Sequence, residues 1–279
     1  MQTLQAITTG AIQGLSEFLP ISSSAHIVFS NAIFEIVSGN KITALASDEE
    51  IFFDIIVHLA TLFAVIIYFF KDLKQIIKDT FCAIKEKKQN ENSKILCYIL
   101  LTTIITSFIG LIFKHPVEML IANPKIICFL LAVTGFLLLF SEKMYKGDKN
   151  INLKNSIVMA IFQGLAIFPG FSRSGFTIAS AIFQGVDRVK AARFSFLMSI
   201  PIIILASLIY PVLEINVAEI STFNIKAIIL GFITSFIVGY LCVKYFMQLL
   251  KQITLRCFGY YCLFASLLMF VLFQFCYHV

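Results

Sequence analysis

Six apolar runs decide which solvent this chain folds in before any motif is considered. They fall at 51–70, 95–113, 125–140, 194–213, 225–243 and 257–277. As helices they are long enough to span about 30 Å of hydrocarbon. A soluble core of a 279-residue protein can hide one or two such runs, not six. Hydrophobic residues make up 59% of the chain, charged residues 14%, and the mean hydropathy is +0.90, far from an average soluble domain. A soluble all-helical protein is set aside, and an all-α polytopic membrane protein is expected.

The basic residues orient the runs. Stretch 71–94 holds seven lysines, 142–154 holds four, 186–193 adds Arg188, Lys190 and Arg193, and 244–256 adds Lys244, Lys251 and Arg256. Outside them lie Lys41, Lys114, Lys125, Lys226 and Arg173, and loop 214–224 carries Glu214 and Glu219 with no base. The positive-inside rule puts the four basic stretches in the cytoplasm. Stretch 155–185 must then enter and leave on the same side, and the segment before 51–70 is tethered on the other. The net charge of +6 fits anionic lipid at the cytoplasmic surface and gives no reason to invoke nucleic acid. Seven cysteines (Cys82, Cys97, Cys128, Cys242, Cys257, Cys262, Cys276) contain no C-x-x-C pair and read as small hydrophobes rather than disulfides or metal ligands. The N-terminal segment lacks the basic start and small-residue cleavage site of a removed signal peptide.

Two polar segments 150 residues apart align without a gap. Gln13, Gly14, Leu15, Phe18, Ser22 and Ser24 of the first meet Gln163, Gly164, Leu165, Phe168, Ser172 and Ser174 of the second. Paired helix-breaking segments of this kind point to a binding site at the interface of two inverted repeats. Residues 1–141 and 155–279 are therefore expected to form inverted repeats of a single membrane domain, each opening with a re-entrant helical hairpin. Irregular backbone at membrane depth is tolerated only where it is buried in protein or lines a wet cavity, so the two tips should meet.

The copies differ in their chemistry. In the second, Pro169-Gly170 stops one half-helix and Ser172-Arg173-Ser174-Gly175 opens another, expected to run to about Phe183. A helix N-terminus is an anion site, and Arg173 adds a planar cation suited to phosphate oxygens. Ser172, Ser174 and Thr177 are candidate hydroxyl donors to that phosphate. The competing reading has Arg173 capping a neighbouring helix; the cost of an intramembrane arginine favours function. In the first copy, Gln13 and Glu17 share a helix face, Pro20 breaks the helix, and Ser22-Ser23-Ser24 begins the next. His26 lies three residues past Ser23 and four past Ser22, a spacing that suits a nucleophile and its base. Glu17 can orient the imidazole, act as base, or hold a divalent cation. Ser22 or Ser23 serving only as a helix cap, and His26 as a buried hydrogen-bonded histidine, remain the plainer alternatives. His58, mid-way along 51–70, either touches the cavity or bonds between helices, with Asp54 one turn earlier as a candidate partner.

The string from Gln13 to His26 resembles the first signature of the undecaprenyl-pyrophosphate phosphatase (bacitracin-resistance) family, and Pro169 to Thr177 resembles the second, P-G-x-S-R-S-x-x-T. Phe194-Ser-Phe-Leu-Met-Ser-Ile-Pro201 is also similar to the family, and the likeness runs through essentially the whole chain. It implies hydrolysis of undecaprenyl pyrophosphate to the monophosphate and inorganic phosphate, recycling the lipid carrier for envelope synthesis. It further implies a plasma-membrane location, a site toward the outer face, and Mg²⁺ or Ca²⁺ at Glu17 and Gln13. Ser23 is implied as nucleophile, His26 as base, with Glu17 and Arg173 completing the catalytic set and Ser22 joining the phosphate-binding hydroxyls. Gln13 stands where many members carry Glu, which leaves Glu17 as the motif's only carboxylate. A transporter or flippase of a phosphorylated polyprenyl lipid is the second reading, since a phosphate cradle in inverted repeats serves either purpose. A type-2 phosphatidic-acid phosphatase is not supported, for its K-x6-R-P and S-R-x5-H spacings are absent. The oligomeric state stays open, a homodimer included.

Overall fold

The computed structural model describes residues 2–37, 48–121, 123–214 and 224–276. Among them eleven helices follow one another: α1 (Thr3–Ser16), α2 (Ser23–Val37), α3 (Asp48–Tyr68), α4 (Phe70–Glu86), α5 (Glu91–Ile121), α6 (Pro124–Lys143), α7 (Leu153–Leu165), α8 (Arg173–Phe183), α9 (Arg188–Glu214), α10 (Ile225–Leu249) and α11 (Arg256–Cys276). No strand occurs among the described residues, only one isolated bridge between Lys149 and Val186. Lys41, Glu219 and the side chains of Glu214 and Cys276 lie outside what is described.

Helices α3, α5, α6, α9, α10 and α11 are long and apolar enough to cross a membrane, and they coincide with the six apolar runs. Their outward faces carry Phe108, Leu111, Phe136 and Phe264, each more than 60% exposed. Contiguous apolar surface of that kind requires lipid as its solvent. One reading needs correction. Basic stretch 71–94, whose lysines suggest a loop between spans, is largely the helix α4. Its lysines are interleaved with exposed Ile77, Phe81 and Ile84 at i, i+4 and i+7, which makes one apolar stripe and one basic face. Such a helix lies in the membrane interface rather than across it.

The polar segments fall in two pairs of short helices, α1–α2 and α7–α8, of 14, 15, 13 and 11 residues. Each pair packs on a long helix of the other half of the chain: α1 lies along α10, and α7 along α5. The first crossing is made close by glycine. A Cβ on Gly10 would sit 2.5 Å from the Gly231 carbonyl oxygen, and one on Gly14 would sit 2.7 Å from that of Ser235. Small residues let helices approach this closely, and apolar membrane helices gain their packing that way. At the basic end, a buried ion pair ties three helices together. Arg188 of α9 donates to both Glu142 oxygens at 2.8 and 2.5 Å, Leu255 N–H donates to Glu142 at 2.9 Å, and the guanidinium lies over the Tyr145 ring.

Because the Gly14 contact is backbone against backbone, Gly14→Ala should lower the thermal midpoint in detergent by the equivalent of about 1–3 kcal/mol. Gly110, whose added Cβ would meet nothing closer than 3.7 Å, is the control. Gly110→Ala should leave the midpoint unchanged or raise it, and equal losses at both positions would deny the close crossing its role.

Candidate active site

The two turns are built alike. In the first, α1 ends at Ser16, Glu17 caps it, Pro20 prevents continuation, and α2 resumes at Ser23. Ser22 takes a left-handed conformation (φ 70°), rare for a residue with a side chain. Its Oγ accepts from the Ala25 N–H at 3.4 Å and lies 3.2 Å from Ser24 Oγ. In the second turn, Ser172 caps α8, accepting from the Gly175 N–H at 3.1 Å, and its Oγ also lies 3.2 Å from the Oγ two residues on, that of Ser174. Gly170 (φ +101°) packs so closely that a Cβ would lie 2.5 Å from the Ile127 carbonyl oxygen.

Hydroxyls stitch the turns to each other and to the long helices. Gly170 N–H donates to Ser24 Oγ at 3.3 Å, Ser174 Oγ to the Leu19 carbonyl at 3.0 Å, and Ser22 Oγ to the Phe171 carbonyl at 3.4 Å. Thr134 of α6 donates to the Gly170 carbonyl and accepts from Ser172 N–H. These bonds cross from residue 24 to 170 and from 174 to 19, so the turns expected to meet do meet.

Where they meet, Glu17 is surrounded by donors. Arg173 Nη2 donates to its Oε1; Ser23 Oγ donates to Oε2 at 2.8 Å, and Gln13 Nε2 to the same oxygen at 3.1 Å. His58 Nε2 stands 3.7 Å from Oε2. The carboxylate side chain is 6% exposed, the arginine 16%. Arg173 Nη1 is buried and has no hydrogen-bond partner.

Of the residues singled out from sequence, Glu17, Ser23, Arg173 and Gln13 are brought together, and His26 is not with them. His26 Nδ1 bonds the Ser22 carbonyl at 2.8 Å. A carbonyl only accepts, so Nδ1 carries the proton and Nε2 accepts from Tyr261 O–H, also at 2.8 Å, beneath a stacked tyrosine ring. The expected Ser23–His26 pair is therefore not formed, nor does Glu17 orient His26. The ionised carboxylate is the stronger acceptor, and it takes the Ser23 hydroxyl.

The hydroxyls expected to meet phosphate make contacts within the protein. Ser22, Ser172, Ser174 and Thr177 are each at most 2% exposed. The first three cap and staple the turns, and Thr177 Oγ1 donates to the Arg173 carbonyl and pairs with Ser195 Oγ at 2.6 Å. Their short side chains satisfy backbone groups that an irregular turn leaves open. His58 reaches the site with its Nδ1 fixed on the Asp54 backbone carbonyl at 2.7 Å, not on the Asp54 carboxylate. The signal for it was present in the sequence, as a lone histidine amid an apolar span.

Among the described residues no group of three His, Cys, Asp or Glu is placed to hold a metal. The oxygens a hard cation could take here are Gln13 Oε1, a buried amide oxygen without a partner, and the neighbouring Glu17 carboxylate, whose present donors are Arg173, Ser23 and the Gln13 amide nitrogen. Two protein oxygens fit Mg²⁺ or Ca²⁺ where phosphate oxygens and water complete the shell. Gln163 Oε1, at the equivalent position of the other copy, is likewise unpartnered but has no carboxylate beside it.

If the Glu17–Arg173 pair holds the turns together, removing one partner strands the other. Arg173→Gln should cost about 3–5 kcal/mol in a reversible unfolding measurement. Combining it with Glu17→Gln should return most of that loss, and simple addition of the two effects would show that the charges act separately.

The family profile described as Bacitracin resistance protein BacA matches residues 6–268. Among similar curated proteins is an "Undecaprenyl-diphosphatase" of Methanobrevibacter smithii, 35% identical with 97% of this chain and 98% of that protein covered. One of the same name from Methanosphaera stadtmanae is 36% identical over 98% of each chain. An "Undecaprenyl-diphosphatase 2" of Halalkalibacterium halodurans is 34% identical, covering 99% of this chain and 97% of its own. Similarity of this extent, carried end to end and through both polar turns, places the chain in the bacitracin resistance protein BacA family.

Proposed function

We propose that the chain is an integral membrane phosphatase that hydrolyses undecaprenyl pyrophosphate to undecaprenyl phosphate and inorganic phosphate, recycling the carrier for cell-envelope synthesis. The observation that carries this reading is the buried, unpartnered Arg173 Nη1 beside a serine whose hydroxyl already donates to a carboxylate. An unsatisfied buried guanidinium nitrogen is costly, and a phosphoryl oxygen is the acceptor it suits best. A lipid carrier would need the cation but has no use for the Ser23–Glu17 pair, so hydrolysis is favoured over transport.

The chemistry follows from those contacts. Ser23 Oγ attacks the terminal phosphorus as its proton passes to Glu17 Oε2; the bridging P–O bond breaks and undecaprenyl phosphate leaves. Arg173 holds the equatorial oxygens as charge spreads over them. Water then attacks the phosphoserine, the Ser23 Oγ–P bond breaks, Ser23 recovers the proton from Glu17, and inorganic phosphate departs as dihydrogen phosphate carrying both protons of the water. A Mg²⁺ or Ca²⁺ held by Glu17 and Gln13 would supply neutralisation of phosphate charge. The short helix pairs are the two re-entrant hairpins of inverted repeats 1–141 and 155–279, in a bacterial plasma membrane, with the site toward the outer face. One chain provides every residue of the site, so a homodimer would not be needed to complete it.

Ser23→Ala should be nearly inactive in phosphate release from a C55 pyrophosphate in detergent. Ser24→Ala should keep substantial turnover, because Ser24 staples the turns without touching Glu17. One lost donor typically costs about 10²–10³ in kcat, so a Ser23→Ala enzyme keeping a tenth of normal activity would exclude the covalent serine. Excess chelator should abolish turnover, and added Mg²⁺ or Ca²⁺ should restore it. Full activity in chelator would remove the metal from the reaction.

A further inference from the structure

A cavity of about 560 Å³ lies at the basic end of the bundle, between the starts of α5 and α9 and the segment 150–152. It shares no residue with the Glu17–Arg173 site. We propose that this cavity binds the phosphate headgroup of an anionic membrane lipid. Its polar side carries Lys94, Lys190 and Arg193 against a single acid, Glu91. Arg193 is paired with Asp72 of α4 at 3.1 Å, and Lys190 donates to the neutral Asn150 side chain at 2.5 Å. The Lys94 ammonium has no hydrogen bond or ion pair among the described residues. Both flanking helices begin here, so their positive dipole ends add to the field.

The opposite wall is apolar, made by Ile95, Tyr98, Phe194 and Leu197. The height is right for a headgroup. Helix α4, packed on α5 and tied to Arg193, shows the basic face and apolar stripe of an interfacial helix. A basic pocket between membrane helices at the cytoplasmic surface is the arrangement that takes acidic lipid headgroups. The cavity is far larger than a phosphate alone and is within the range of sites that hold a small-molecule group. Charge, depth and the apolar wall together select a lipid over a free anion.

The test titrates the purified full-length chain in dodecyl maltoside with dioleoylphosphatidylglycerol, dioleoylphosphatidylcholine or inorganic phosphate, counting bound lipid by native mass spectrometry. Phosphatidylglycerol should bind saturably, and phosphatidylcholine should not. Each lysine removed should weaken binding by about fivefold, so Lys94→Gln and Lys190→Gln together should cost about 25-fold. Lys94→Arg should bind as the parent does. Phosphatase turnover measures folding in every variant, because neither lysine touches the catalytic turns. Lys94 has no partner to lose, so its single variant alone suffices if the double one fails to fold. Equal binding of phosphatidylcholine overturns the proposal, as does displacement of the lipid by millimolar inorganic phosphate. So does an equal loss on replacing Lys146 and Lys149 of the neighbouring basic cleft, which would make the attraction diffuse surface charge.

Discussion

The contact between Glu17 and Arg173 governs much of the rest of the structure. A carboxylate and a guanidinium among apolar helices each carry a large desolvation cost, and only mutual pairing with further hydrogen bonds offsets it. They stand 156 residues apart in the chain, one beside each turn. Satisfying both forces the turns into contact, and that demand propagates outward. The close α1–α10 crossing at Gly10 and Gly14, the Gly170 conformation and the proline after α1 are all conditions for bringing two irregular segments to one point. The hydroxyl staples then consume the backbone groups that those irregular segments expose.

The two copies use one backbone plan for opposite charges. Ser22 and Ser172 cap their helices with the same i to i+3 bond, and each lies 3.2 Å from the serine two residues on. Onto this shared frame the first copy adds Glu17 and Ser23 and the second adds Arg173. Had both copies kept an acid or both a base, like charges would face each other at the junction. Divergence at these few positions turns two like turns into an asymmetric site, with the proposed nucleophile on one side and the proposed phosphate anchor on the other.

Much of this was legible in the sequence, and what was not has a common cause. The six spans follow from run length and hydropathy, and α8 begins and ends where Ser172 and Phe183 indicate, because capping and apolar length are local properties. The meeting of the turns follows from the duplicated motif. Spacing misled where a side chain had a choice of partners. Ser23 and His26 are three apart on a helix, yet Ser23 turns to Glu17 and His26 to Tyr261 of α11, 235 residues away. No periodicity announces such a partner. The capping and stapling roles of the serines were equally hidden, since a hydroxyl that binds phosphate and one that caps a helix look identical in sequence. In stretch 71–94 the many lysines mask an apolar i, i+4, i+7 stripe, which is what makes it a helix.

Arg173 also explains how a buried ion pair is compatible with turnover. Were both its terminal nitrogens committed to Glu17, a phosphate could bind only by breaking the pair and stranding a carboxylate. Nη2 alone makes that contact, and Nη1 is left without a partner. The planar fork can thus bridge carboxylate and phosphoryl oxygen at once, which a lysine's single ammonium would do with less directional control. On the proposed function, a phosphate bound there would lie next to Ser23, whose hydroxyl already points at the same carboxylate. The contact that holds the turns together would in this way also align the proposed anchor, nucleophile and proton acceptor before substrate arrives.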